Sequence, residues 1–258
     1  MKKSTLINLL TVMVFCLIPF SAGFAQTVDD LVLWTEQYPP FNFEENEKLQ
    51  GISVDLMDIM LKKVNSRLTR DDIQLVPWSK GYKAGLTRKN NVIFGTTRTA
   101  ERETLFKWVG PFAPTRISLT ARKDRNIKIN SINDVKKYKI GVIRDDVGEQ
   151  LLVAAGIPKK NLDRTAKAIS IIKKLSSGKI DMWSYEETVA KWFIKKNGFN
   201  PVDYEIVHVL KEGVLSYAFH KDTPDSLIQK FQTALDEIKK KPAGEKSKYE
   251  KILDKYLK

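Results

Sequence analysis

The sequence predicts an α/β protein built as two lobes. Short apolar runs alternate with amphipathic helical stretches along most of the chain, the pattern of mostly parallel sheets covered by helices. The alternation runs twice, with a pause near residues 113–130. The 258 residues are 42% hydrophobic and 29% charged, enough ordinary globular sequence to bury a core in each half.

Residues 31–35 read as the first strand, and Tyr38-Pro39-Pro40-Phe41 breaks it into a loop. Residues 51–68 read as a helix, with Leu56, Met57, Met60, Leu61 and Val64 on one face and Ser53 as N-cap. Strand 73–76, helix 78–86, strand 91–95, helix 99–106 and an extended stretch 117–122 follow. The second round has a short helix 131–137 capped by Ser131, strand 139–144, and helix 147–155 ended by Gly156 and Pro158. Helix 168–176, strand 180–183 and helix 186–196 come next. Residues 204–210 and 214–219 read as two strands with Gly213 at the turn, and 224–240 and 244–256 as closing helices.

The first 25 residues read as an address rather than as structure. Lys2 and Lys3 precede an uncharged apolar stretch from Leu6 to Phe20, with Gly23 and Ala25 where a signal peptidase reads small residues. A cleavable secretory signal over residues 1–25 is the expectation, because the run is shorter than the ~20 residues a membrane span needs. Cys16 lies inside it after the bulky Phe15, which does not suit a lipid anchor. Cleavage removes the single cysteine and takes the formal charge from +13 to +11 through loss of Lys2 and Lys3. A thiol-free chain suits an oxidising compartment and excludes thiol catalysis. One Cys and two His in the whole chain leave little for a metal site, so no metal and no cofactor are expected. The lysine pairs are scattered along helical patterns rather than gathered in one stripe with interleaved aromatics, so they read as solvated faces and not as a nucleic-acid surface.

In parallel α/β sheets, ligands bind at the carboxyl ends of strands, and between lobes when there are two. Several segments near such ends stand in a telling order. Tyr38-Pro39-Pro40-Phe41 and Gly51-Ile52-Ser53-Val54-Asp55-Leu56 come first. Thr96-Thr97-Arg98-Thr99-Ala100-Glu101-Arg102-Glu103 and Phe106-Lys107-Trp108-Val109-Gly110-Pro111-Phe112 follow. Lys139-Ile140-Gly141-Val142-Ile143 and Gly178-Lys179-Ile180-Asp181 complete the set. This ordered set resembles family 3 of the extracellular solute-binding proteins, the periplasmic components of polar amino-acid ABC transporters.

The resemblance covers essentially the whole chain after residue 25. It implies the type II periplasmic-binding-protein fold: two mostly parallel sheets joined by a two-strand hinge, with ligand captured in the cleft as the hinge closes. The lobe divisions it implies are 26–114 for the first part of lobe 1, 115–215 for lobe 2 with the crossovers, and 216–258 for the rest of lobe 1. It implies a small polar solute as ligand and an inner-membrane permease or receptor as partner; a monomer is the default expectation.

Ligand-binding positions carry over residue by residue. Thr99-Ala100-Glu101-Arg102 matches the family's Thr-x-x-Arg, whose arginine takes the ligand carboxylate; a planar guanidinium bonds a carboxylate bidentately. Arg98 is its local competitor. Gly95 and Thr97 match positions offering backbone and hydroxyl contacts. Tyr38, Trp78 and Phe41 match the aromatic cleft wall, with Tyr82 one turn beyond Trp78, although core packing is the commoner use of an aromatic.

Two departures stand out. Where the family has a small Gly-Thr step opening a helix, this chain has Arg144-Asp145-Asp146-Val147. Two aspartates are good helix caps, but they repel a carboxylate placed against them unless Arg144 compensates. Where the family has an ammonium-binding aspartate, this chain has Tyr185-Glu186-Glu187; Glu186 keeps the charge, and also reads as a first-turn helix acid. Together Asp145, Asp146 and Glu186 favour a cationic group on the ligand. The leading expectation is a non-enzymatic amino-acid or amine carrier. The alternatives are an exported enzyme on the same fold resembling cyclohexadienyl dehydratases, with Glu186 or Glu187 as acid or base, and a periplasmic ligand sensor.

Overall fold

The structure, a computed structural model, describes residues 27–257. The signal-peptide reading of residues 1–25 lies outside the described residues, as does Cys16.

Strands β1 (Val32–Thr35), β4 (Gln74–Leu75) and β5 (Asn91–Thr97) form one parallel group. Between them stand the hairpin β2 (Phe43–Glu45) and β3 (Lys48–Gln50), and helices α1 (Ile52–Lys63) and α2 (Trp78–Thr87). A single turn, α3 (Ala100–Glu103), follows β5, and Thr99 caps it by accepting the Arg102 N–H at 3.3 Å. The second parallel group is β7 (Ile140–Ile143), β8 (Leu162–Thr165) and β9 (Met182–Glu186), with α4 (Val147–Ala154), α5 (Ala168–Ser176) and α6 (Glu187–Lys196). Helices α7 (Asp225–Lys239) and α8 (Lys248–Leu257) close the chain.

Two long strands join the groups. β6 (Phe106–Arg122) and β10 (Tyr204–His220) pair antiparallel along their whole length, from Tyr204 opposite Arg122 to His220 opposite Phe106. The later half of β10 pairs with β5, Leu215 opposite Thr97; the later half of β6 pairs with β9, Ile117 opposite Glu186. Hydrogen bonding is therefore continuous over eight strands in the order β4-β1-β5-β10-β6-β9-β7-β8. The two expected sheets exist as its two wings, parallel outside and antiparallel at the two shared strands.

Three local expectations are corrected. Gly213 is not a turn: it pairs with Thr115 inside β10. Ser53 does not cap α1: Gly51 holds that place at φ +121, and a Cβ there would lie 2.5 Å from the Phe41 carbonyl oxygen. Ser53 is buried instead, with Oγ donating to Asn42 Oδ1 at 3.1 Å. The 131–137 segment is 3₁₀ rather than α, though Ser131 caps it as expected. The hairpin β2–β3 and strand β8 carry little apolar pattern and were not expected.

Burial follows the two-wing plan. Ile52, Val54, Leu56, Met57 and Met60 of α1 pack with Phe94, Tyr217, Phe219 and Phe231 in one core. Leu119, Val135, Ile140, Val142, Leu152 and Met182 form a second. The first cluster also takes in Ile143, Ala168, Trp183 and Tyr185 from the other wing, so the wings are pressed together across the cleft. Among the described residues no helix is long and apolar enough to cross a membrane, and no group of His, Cys, Asp and Glu is arranged to hold a metal.

Candidate solute-binding cleft

The strand ends deliver the candidate residues to one place. Glu36 and Tyr38 follow β1, Trp78 opens α2 after β4, Thr97 ends β5, Asp146 caps α4 after β7, and Glu186 ends β9. This is the carboxyl edge of both parallel groups, where the alternation of strand and helix leaves a crevice.

Arg102 is the centre. Only 1% of its surface is exposed. Its guanidinium lies over the rings of Tyr82 (4.9 Å) and Trp78 (5.4 Å), which stack on each other at 5.2 Å. Nη1 donates to the Thr97 carbonyl at 3.2 Å and Nε to Gln150 Oε1 of α4 at 3.1 Å. Nη2 is buried with no hydrogen-bond partner. Arg98, by contrast, is spent on a bidentate pair with Glu103 at the surface. Thr97 thus serves Arg102 through its backbone.

Facing Arg102 is an unusual density of buried acid. Asp146 is 5% exposed, and its Oδ2 is buried without a partner. Burial pushes its carboxyl up, against the opposing pull of Arg102 and the Val147 and Gly148 N–H groups. Glu36 is held well above the ordinary carboxylate range by burial and by Asp146, with Arg102 opposing. Glu186 accepts the Val189 N–H at 2.8 Å as the N-cap of α6, and burial pushes its carboxyl up to about 7. Its capping role is therefore real, and the Tyr38 and Tyr185 hydroxyls feel its charge together with those of Asp146 and Glu36. Glu36 was missed from sequence, although an acid just past the carboxyl end of a strand was a usable signal.

The Arg144-Asp145-Asp146 step does not behave as a pair of repelling acids. Asp145 takes a left-handed φ of +61 and turns its carboxylate out to Arg164, 3.1 Å away. Its N–H donates to Glu149 Oε2 at 2.6 Å, and Glu149 also pairs with Arg164. The turn so held aims the Asp145 carbonyl into the cleft, where it accepts Trp78 Nε1 at 2.9 Å and Gln150 Nε2 at 3.1 Å. Only Asp146 points acid inward. Arg144 is exposed and contributes no contact to the buried group.

Gly95 is also explained without a ligand. It has φ +62, and a Cβ there would lie 2.6 Å from Asn42 Oδ1. Asn42 in turn donates to the Glu36 carbonyl at 2.9 Å, bracing the loop after β1 that packs on Gly95 of β5. Tyr38 is 2% exposed, meets Tyr185 edge-on at 5.4 Å across the cleft, and leans on Phe41 at 5.8 Å. Further out, Phe43 packs on Trp192 at 6.0 Å, and Glu45 pairs with Lys196. The wings are closed on each other.

The family model for bacterial extracellular solute-binding proteins, family 3, matches residues 31–258. The chain belongs to that family. Among its relatives is the probable amino-acid-binding protein YxeM of Bacillus subtilis (strain 168), 29% identical over 82% of this solute-binding protein and 80% of YxeM. The arginine-binding extracellular protein ArtP of the same organism is 25% identical, over 82% of this chain and 81% of ArtP. Among solved structures, a histidine kinase sensor domain with similarity to periplasmic binding proteins superposes with a TM-score of 0.74 at 20% identity, covering 88% of this chain and 96% of the other. That likeness carries the fold alone. The expected periplasmic-binding-protein architecture is borne out.

Proposed function

We propose that this solute-binding protein captures an amino acid or a related small amine between its wings. The observation that carries the reading is a matched pair of orphans: Arg102 Nη2 and Asp146 Oδ2 are both buried with no protein partner. Among the twelve such atoms of the described residues, these two belong to oppositely charged groups that feel each other, and a buried charged group with an unpaired atom asks for an explanation. A zwitterion supplies it, with its carboxylate on Arg102 and its ammonium on Asp146 and the neighbouring Glu186. Three buried acids against one guanidinium further favour a ligand carrying net positive charge. The names of YxeM and ArtP agree with that class.

In this reading residues 26–114 and 216–258 form one lobe and 115–215 the other, with β6 and β10 as the hinge. The protein acts outside the cytoplasm after loss of residues 1–25, as a monomer, and hands its ligand to an inner-membrane permease. We read it as a carrier rather than an enzyme, in line with relatives that are named as amino-acid-binding proteins.

A thermal-shift screen of ligand-stripped protein against the common amino acids and polyamines tests it. A ligand at about 100-fold its Kd adds about 2.7 kcal/mol, a midpoint rise of about 5–10 °C for a chain of this size. No rise with any amino acid or amine contradicts the reading.

A further inference from the structure

A cavity of about 230 Å³ lies on the second wing, between α6 and the paired strands β6 and β10. Glu187, Ala190, Lys191 and Ile194 recur at helical spacing along α6 and give it one wall. Thr120 of β6 and Tyr204, Glu205 and Ile206 of β10 give it the other. It shares no lining residue with the Arg102–Asp146–Glu186 group, so it is distinct from the cleft. Two of its polar atoms are orphans: Thr120 Oγ1 and Glu187 Oε1 are both buried with no hydrogen-bond partner. Thr120 as a whole is 4% exposed. The other Glu187 oxygen meets Arg116 at 3.3 Å, but Arg116 is shared with Glu212, also at 3.3 Å. With Glu205 and the exposed Lys191 included, three carboxylates stand against two cations around the cavity. The Tyr204 hydroxyl is already engaged by Ser176 at 2.7 Å. Ala190, Ile194, Pro201 and Ile206 supply hydrocarbon.

We infer that this cavity is a second small-molecule site, and that it takes a primary ammonium carried on a short hydrocarbon chain. Glu187 Oε1 is a carboxylate oxygen that only accepts, so what satisfies it must donate. The Thr120 hydroxyl can accept from the same head group. An ammonium carries three N–H donors, enough for both orphans at once. Hydrogen bonds between charged groups are the strong ones, which favours an ammonium over a neutral hydroxyl. The chain behind the head group covers Ala190, Ile194 and Ile206, and its burial adds to the affinity. The inference is independent of what the cleft binds.

The test is isoleucine-methyl NMR of the protein, titrated at neutral pH with n-butylamine and with n-butanol. The Ile194 and Ile206 signals are expected to shift saturably with n-butylamine, about tenfold more tightly than with n-butanol. They do so whether or not Ile143, at the cleft end of β7, moves in a separate titration. Glu187→Gln weakens n-butylamine about tenfold and brings it to the level of n-butanol. Thr120→Val removes a buried hydroxyl that has no partner, so it melts no lower than wild type, yet it weakens n-butylamine about threefold. Shifts at Ile143 alone put the amine in the cleft and overturn the site. So do n-butanol binding as tightly as n-butylamine, or Ile194 and Ile206 titrations that both variants leave unchanged. The absence of any shift at Ile194 and Ile206 through the millimolar range overturns it outright.

Discussion

Trp78 and Asp145 meet across the cleft: the indole Nε1 donates to the Asp145 carbonyl at 2.9 Å. One residue opens a helix of the first wing and the other sits in the turn before a helix of the second. The bond exists only while the wings are closed. The same indole stacks on Tyr82 and faces the Arg102 guanidinium, so the residue that latches the cleft also shapes the anion site.

Trp78→Phe keeps a ring over Arg102 and deletes the donor. One hydrogen bond is worth about 0.5–1.5 kcal/mol net, so ligand affinity falls about 2- to 10-fold. The loss appears in the dissociation rate, because the latch forms after capture. Stopped-flow fluorescence checks it. An unchanged dissociation rate removes the latch from the account.

Arg102→Lys keeps the charge and loses the fork that reaches Thr97, Gln150 and the ligand at once. Affinity for an amino acid drops by about 10- to 100-fold, in line with the ~1.5–3 kcal/mol of a hydrogen bond to a charged group. Arg98→Lys, at a guanidinium that meets the exposed Glu103 and the Trp108 ring, changes affinity less than about twofold. Titration calorimetry on the two variants separates them.

The acids make the ligand-free protein sensitive to pH. Burial raises the Glu186 carboxyl from its ordinary 4.5 to about 7. Between those values the folded chain holds more protons than the unfolded one, so stability falls as pH rises through that window. The loss from this one group is on the order of 3 kcal/mol, and Asp146 and Glu36, also raised by burial, act in the same sense. Glu187 lies beside Glu186 and pushes in the same direction, while N–H groups of Arg116, Thr188 and Val189 oppose it. An ammonium ligand prefers the ionised carboxylate, so its affinity rises with pH toward about 7 and binding releases protons. Glu186→Gln flattens both dependences. Melting and titration from pH 5 to 8 read them directly.

Gly95→Ala strains a left-handed backbone and drives a Cβ against Asn42. The expected destabilisation is about 2 kcal/mol or more. Chemical denaturation measures it. A neutral result means the β1–β5 connection is looser than the structure has it.

Much of the site was legible because short motifs fix it locally. The Thr-x-x-Arg turn places Arg102 through one cap, and an aspartate before an apolar helix start becomes its cap whatever the ligand. Glu36 was harder to see because its role depends on Asp146 and Arg102, far away in sequence. Arg144 misled for the reverse reason: its charge suggested compensation, but the turn at Asp145 leaves it exposed. The long strands β6 and β10 were read as shorter pieces because Gly110, Pro111, Pro114 and Gly213 are local breakers. Pairing along both strands overrides them, since strand preference depends on neighbours more than on the residue itself.

The claim at the centre is that Arg102 receives a ligand carboxylate. It is tested most directly by a cycle between protein and ligand. Wild type and Arg102→Met are each titrated with the best-binding amino acid and with its decarboxylated amine. Wild type is expected to lose at least about 100-fold on decarboxylation, and Arg102→Met less than threefold. Equal losses in both proteins place the carboxylate elsewhere and contradict the account.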